Sequence, residues 1–108
     1  MKTFRTLDLA VEFYNIVEQL KLTGHLRDQL VRAAASVPLN LSEGNAKPSP
    51  KEKRSFYQTA YASLKECQTI FKMAKLEDEK VVVMADHLGA SIYKLVQSKI
   101  TEIGNSIP

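Results

Sequence analysis

The sequence predicts an all-α protein: residues 1–108 forming one domain, an up-down-up-down antiparallel four-helix bundle. Three observations carry this. Apolar residues recur at steps of three and four in four separate stretches, the spacing that returns to one side of a helix. Breakers are few, with four glycines and four prolines, and three of those prolines are Pro48, Pro50 and Pro108. The links between stretches are short, which favours antiparallel neighbours. Apolar content of 44% and charged content of 25% are those of an ordinary globular chain, so a disordered one is not expected.

The first helix is expected from about Leu7 to Lys21, with Thr6 as N-cap and Asp8 near the positive end of the dipole. Asp8, Glu12, Asn15 and Gln19 make one narrow polar face. Leu7, Leu9, Ala10, Val11, Phe13, Tyr14, Ile16, Val17 and Leu20 cover most of the rest. A helix apolar over more than half its circumference has more to bury than one small bundle covers, so self-association is expected. Thr23-Gly24 ends it, glycine supplying a left-handed turn.

The second helix runs from about His25 to Asn45. Leu26, Leu30, Ala33, Val37 and Leu41 share one face, and Ala33-Ala34-Ala35-Ser36 lets a neighbour approach closely. Pro38 cannot donate to the carbonyl of Ala34, so a kink is expected there. Asn40 falls beside Val37 and Leu41, where an unpartnered amide costs about 1–3 kcal/mol. The stretch reads either as a tightly packed, bent core helix or, more sharply, as one in which Asn40 and Glu43 form a polar cluster at a subunit contact. Gly44-Asn45 closes it.

Ser49-Pro50-Lys51-Glu52 is a capping box with proline at the first helical position, opening a third helix that continues to about Lys75. Its core stripe is Phe56, Ala60, Leu64, Cys67, Phe71 and Ala74. The acidic link Glu77-Asp78-Glu79 starts the fourth helix. Val81, Met84, Ala85, Leu88, Ile92, Leu95 and Val96 form its apolar face through to about Ile103, and Gly104-Asn105 stops it before a frayed tail. Val81-Val82-Val83 would suit a strand, but nothing elsewhere could pair with it. Gly89 costs about 1 kcal/mol against alanine inside a helix, which marks a close contact.

Gln29-Leu30-Val31-Arg32-Ala33-Ala34-Ala35-Ser36-Val37, followed by Asn40-Leu41-Ser42-Glu43-Gly44, resembles the signature of the four-helix-bundle proteins encoded in intervening sequences of 23S ribosomal RNA genes. The matching positions are Gln29, Arg32, Ala33, Ser36, Asn40, Glu43 and Gly44. A second block resembles Phe56, Ala60, Ser63-Leu64 and Glu66, with Ala62 where the family usually has glycine. The resemblance implies a bacterial protein that assembles into a homopentameric ring. It also implies kinship with the accessory variability protein of diversity-generating retroelements, whose basic surface is thought to engage nucleic acid and a reverse transcriptase. By that analogy RNA or DNA and a reverse transcriptase are implied partners.

The residues themselves exclude most chemistry. There is no glycine-rich phosphate loop, no HExxH and no CxxC, and His25 and His87 are isolated. No four ligands are spaced for zinc, and Glu43 and Glu66 lack the Glu-x-x-His pairs of a bundle carboxylate site. No enzyme activity, metal or cofactor is expected. No run approaches the roughly 20 apolar residues that span a bilayer, and no long apolar run follows the basic residues at the start. The lone Cys67 suits a reducing cytoplasm, as a buried and inert thiol.

The charge offers the best lead. The net value is +3, yet Lys47 to Lys75 holds seven bases against two acids, a local +5, and the rest of the chain carries −2. At 100° per residue, Lys51, Arg54, Gln58, Lys65 and Lys72 fall within about one sixth of the third helix's circumference. Tyr57 and Tyr61 border this stripe and Lys75 extends it. Cations meet phosphates and ring faces stack on unpaired bases, so the stripe is a candidate platform for nucleic acid. Against it stands the plain alternative of a solvated face, and with that a protein–protein scaffold with no nucleic-acid role. The chain lacks the Lys/Arg-rich tails of a protein threaded into ribosomal RNA.

Overall fold

Four helices account for most of residues 4–106, the part of the chain that the computed structural model describes: α1 (Arg5–Glu18), α2 (Gly24–Ala46), α3 (Pro50–Met73) and α4 (Glu79–Ser106). The expected fraying at Ile107 and Pro108 lies outside the described residues. Val81-Val82-Val83 is helical, and no strand occurs among the described residues. α1 packs on α2 and α4, and α3 on the same two, so the helices form a closed square with no diagonal pair. Ser36 meets Ser63 while Gly44 meets Tyr57; Tyr61 meets Tyr93, Leu64 meets Gly89 and Gln68 meets Asp86. Residue numbers rise on one helix as they fall on its neighbour, which makes both pairs antiparallel.

One core fills the square. Phe13 and Val17 come from α1, Leu30, Val37 and Leu41 from α2, Leu64 and Phe71 from α3, and Leu88 and Ile92 from α4. Phe13 and Phe71 meet edge to face across the centre, their centroids 6.3 Å apart. Cys67 is fully buried, and desolvation pushes its thiol up to about 12, so the group stays protonated and unreactive.

The helix ends depart from the sequence reading in instructive ways. Thr6 does not cap α1; Phe4 holds that position without a side-chain bond, and Thr6 is buried within the first turn, sharing a 2.8 Å hydrogen bond with Ser91 of α4. α1 stops at Glu18. Gly24 has the expected left-handed backbone (φ 74°), but it opens α2 rather than ending α1. The capping box at Ser49 forms in a variant way. Ser49 Oγ accepts from the amide of Glu52 at 3.2 Å, and the hydroxyl then donates to the Glu52 carboxylate at 3.0 Å. Asp78 caps α4 through the amide of Val81, as the acidic link suggested. Gly104-Asn105 is no stop, since α4 runs through it to Ser106.

Gly44 is not a stop either. α2 continues to Ala46, and the glycine is buried where α2 crosses α3. A Cβ there would stand 2.7 Å from Tyr57 Cε1 and 3.0 Å from Phe56 Cβ, so the absent side chain is what lets the Tyr57 ring lie under α2. Gly89 does mark a close contact, with Leu64 Cδ2 3.2 Å from where a Cβ would be. Pro38 lies within α2, which continues past it for eight residues. Asn40 finds its partners at home: Nδ2 donates to the carbonyl of Ser36 at 2.8 Å and to its hydroxyl at 3.0 Å, and that hydroxyl joins Ser63 on α3 at 2.8 Å. The amide thus serves a polar clasp between α2 and α3, while Glu43 stays exposed and pairs loosely with Lys47 at 3.9 Å.

The apolar surplus of α1 is narrower than its sequence suggests. Contact with both α2 and α4 half-buries Leu7, Leu9, Tyr14, Ile16 and Leu20, leaving Val11 as the exposed aliphatic of α1. Val11 joins Tyr14, Ala35, Pro38 and Leu39 in a wholly apolar hollow between α1 and α2, and Leu39 is 65% exposed.

Candidate nucleic-acid interface

α3 can present cations because its other sides are spoken for. Tyr57, Ala60, Leu64, Cys67, Ile70 and Phe71 turn inward, and the remaining positions include Lys51, Lys53, Arg54, Lys65 and Lys72 against the two acids Glu52 and Glu66. Of the seven bases between Lys47 and Lys75, two are used internally. Lys53 Nζ donates to the carbonyls of Gly44 (3.3 Å) and Asn45 (2.9 Å), neutralising the negative end of α2. Lys47 lies 5.2 Å over the Phe56 ring and beside Glu43. The other five are Lys51, Arg54, Lys65, Lys72 and Lys75. None takes part in either ion pair found among the described residues. All but the half-buried Arg54 are exposed. From Lys51 to Lys72 the stripe spans roughly 30 Å at 1.5 Å per residue.

The stripe is one wall of a groove whose other wall is α4. At one end Lys51 and Arg54 share a hollow with Ile100 and Ile103. At the other, Lys65, Lys72 and Lys75 border a cleft of about 420 Å³ with Gln68, Leu76 and Asp86. Between these lies a second cleft of about 440 Å³, where Tyr61 and Lys65 face Tyr93 and Lys94.

The two tyrosines assigned to the stripe part company. Tyr57 is 3% exposed, its ring edge-on to Phe4 at 6.2 Å, and burial raises its phenol above the usual value, with Glu102 adding to the effect. A base cannot stack on a ring enclosed by protein, so Tyr57 is withdrawn from the interface. Tyr61 is half-buried, carries Lys65 Nζ 5.2 Å over its ring and tilts against Tyr93 at 6.1 Å. Tyr93, on α4, is 51% exposed and is the more open ring of this pair. Tyr93, Lys94, Gln68 and Asp86 were all missed in the sequence. The available signal was Asp86, Gly89, Ala90 and Tyr93 at helical spacing on α4, a face that means nothing until its neighbour is known.

Lys75 occupies the turn after α3 in the left-handed region, φ 53°. Its amide bonds the carbonyl of Lys72 at 3.2 Å and that of Leu76 bonds Phe71 at 3.0 Å, the Schellman pattern that usually has glycine at this position. A side chain there costs about 1–2 kcal/mol.

The polar members of the family-like motif lie elsewhere. Gln29, Arg32 and Glu43 are exposed on α2, in line with Ser36 and Asn40, on the side that meets α3. Ala33 and Gly44 are buried. Ala62 is exposed, so no contact within the chain asks for glycine there. Among the described residues no three His, Cys, Asp or Glu side chains gather closely enough to hold a metal ion, and no helix is long and apolar enough to cross a membrane.

The family model described as 23S rRNA-intervening sequence protein matches residues 4–107. No curated protein and no solved structure matches the chain.

Proposed function

The chain belongs to the family of 23S rRNA-intervening sequence proteins, and on that premise we propose that it is a non-enzymatic, ring-forming helical protein that binds RNA or DNA along the groove between α3 and α4. One observation carries the reading. In a segment of seven bases, Lys53 is bound to the last carbonyls of α2 and Lys47 is paired with Glu43, while the other five join no ion pair among the described residues and all but the half-buried Arg54 are exposed. Holding five like charges on one face works against compactness and costs stability unless counter-charge arrives from outside. Phosphates supply that charge and release condensed counterions in doing so.

Assembly enters through the other side of the molecule. The hollow at Val11, Tyr14, Ala35, Pro38 and Leu39 faces away from the α3–α4 groove, on the opposite edge of the square. In this reading the bend that Pro38 imposes on α2 turns Leu39 outward to a neighbouring copy. A homopentamer would repeat the groove five times and raise effective concentration for a long strand. The exposed Leu39 also favours a second reading, a protein–protein scaffold in which the charge serves solubility alone. Light scattering together with gel retardation of a single-stranded RNA at low salt separates the two. A pentamer that retards RNA supports the proposal; a tight oligomer that retards none supports the scaffold, and a monomer counts against both.

A further inference from the structure

The groove is not uniformly basic. Asp86 stands where the end cleft and the middle cleft meet, an exposed carboxylate that lines both together with Lys65 and Gln68, where it weakens any phosphate contact. A channel meant only for backbone phosphates has no use for an acid at that place. Gln68 Nε2 donates to Asp86 Oδ1 at 2.9 Å. A carboxylate can only accept, so the amide must turn its NH₂ toward Asp86 and its Oε1 away, which fixes the orientation of the amide. Gln68 Oε1 and Asp86 Oδ2 take no part in that bond and remain as acceptors on two joined side chains that both line the middle cleft. Two helical turns further along α4 is Tyr93, 51% exposed and backed by Tyr61. Gly89 and Ala90 lie between, so no long side chain from α4 fills the space. Gly89 also brings the α4 backbone close against Leu64, making a firm floor.

Resting on the nucleic-acid reading above, we infer that this cleft takes one unstacked guanine of a single strand. Its ring lies on Tyr93, its N1–H and N2–H₂ groups donate to Asp86 and Gln68, and Lys65 and Lys94 hold the flanking phosphates. Guanine is the base whose pairing edge carries two adjacent donors. Adenine and cytosine each place one amino group beside an acceptor nitrogen, and uracil sets a single N–H between two carbonyls. The cleft volume of about 440 Å³ lies within the range of sites for small organic ligands.

Fluorescence anisotropy at low salt tests this with single-stranded A/U-rich RNA 12-mers carrying isolated guanines, and with the same strands in which inosine or adenine replaces each guanine. Inosine keeps N1–H and lacks the amino group, so it removes one of the two donors. The guanine strand should bind roughly tenfold tighter than the adenine strand, with inosine between them. Asp86→Asn should erase that order while retaining salt-dependent binding, and Tyr93→Ala should weaken all three strands by about tenfold or more. Both side chains are exposed, so circular dichroism should show the helices intact. Equal affinity for guanine and inosine in the wild-type protein, or discrimination surviving in Asp86→Asn, overturns the inference and leaves the general nucleic-acid reading standing. Failure of every strand to bind removes both.

Discussion

Reversing Arg54 and Lys65 to glutamate isolates the electrostatic claim. Among the described residues neither side chain is in an ion pair, and the contact at risk is Lys65 over Tyr61, worth about 0.5–1 kcal/mol at an exposed site, so the fold should stand. Five phosphate contacts per subunit give a slope of log affinity against log salt near −3.5 for a single strand, at about −0.7 per contact. Raising salt from 50 to 200 mM should then cost roughly a hundredfold in affinity. The double variant retains three of the five cations, so its slope should fall to about −2 before the added repulsion is counted. It also changes the net charge from +3 to −1. Lys21→Glu with Lys80→Glu makes the same change at exposed positions off the stripe and is the control. Anisotropy titrations of a single-stranded RNA at five salt concentrations give the slopes. If the stripe variant keeps the wild-type slope, or the control loses affinity equally, binding does not run through α3 and the reasoning fails.

Gly44→Ala should destabilise by about 1–3 kcal/mol in chemical denaturation, because the new Cβ meets the enclosed Tyr57 ring at 2.7 Å; an unchanged midpoint would show that the ring can move aside. Lys75→Gly relieves the left-handed backbone at φ 53° and should raise stability by about 0.5–1 kcal/mol, while the salt slope weakens by about 0.7. Stability and binding moving in the same direction would contradict it. Asn40→Ala breaks the clasp to Ser36 and should cost about 1 kcal/mol in unfolding free energy. A thiol pushed up to about 12 stays protonated in the native protein, so Cys67 should resist a thiol reagent at pH 8 until the chain unfolds. Because the folded value lies above the ordinary one near 9, its contribution to stability is whole below pH 9 and drains away as pH climbs toward 12. Rapid labelling of the folded protein at pH 8 would show the core to be open there.

The helices were legible because each carries its own evidence, a 3.6-residue apolar rhythm and, at Ser49 and Asp78, side chains that terminate the backbone. What the sequence withheld depends on pairs. Tyr57 and Tyr61 sit one turn apart on the same edge of α3, and only the first is enclosed, because Gly44 on another helix leaves room for its ring. Thr6 looked like a cap until Ser91 supplied a partner across the bundle. α1 looked too apolar for one bundle because a helical wheel counts residues, whereas two flanking helices cover more of its circumference than one stripe suggests. The cations of α3 were visible in the sequence, but Asp86, Lys94 and the exposed ring of Tyr93 came from α4, whose facing side is set only by packing.

Photocrosslinking of a bound single-stranded RNA, with the attached residues mapped by mass spectrometry, tests the central claim most directly. The account predicts adducts on α3 and α4, at Tyr61, Lys65, Tyr93 and Lys94, which fade as salt rises. Adducts confined to α1 and α2 around Val11 and Leu39, or none at low salt, would contradict it.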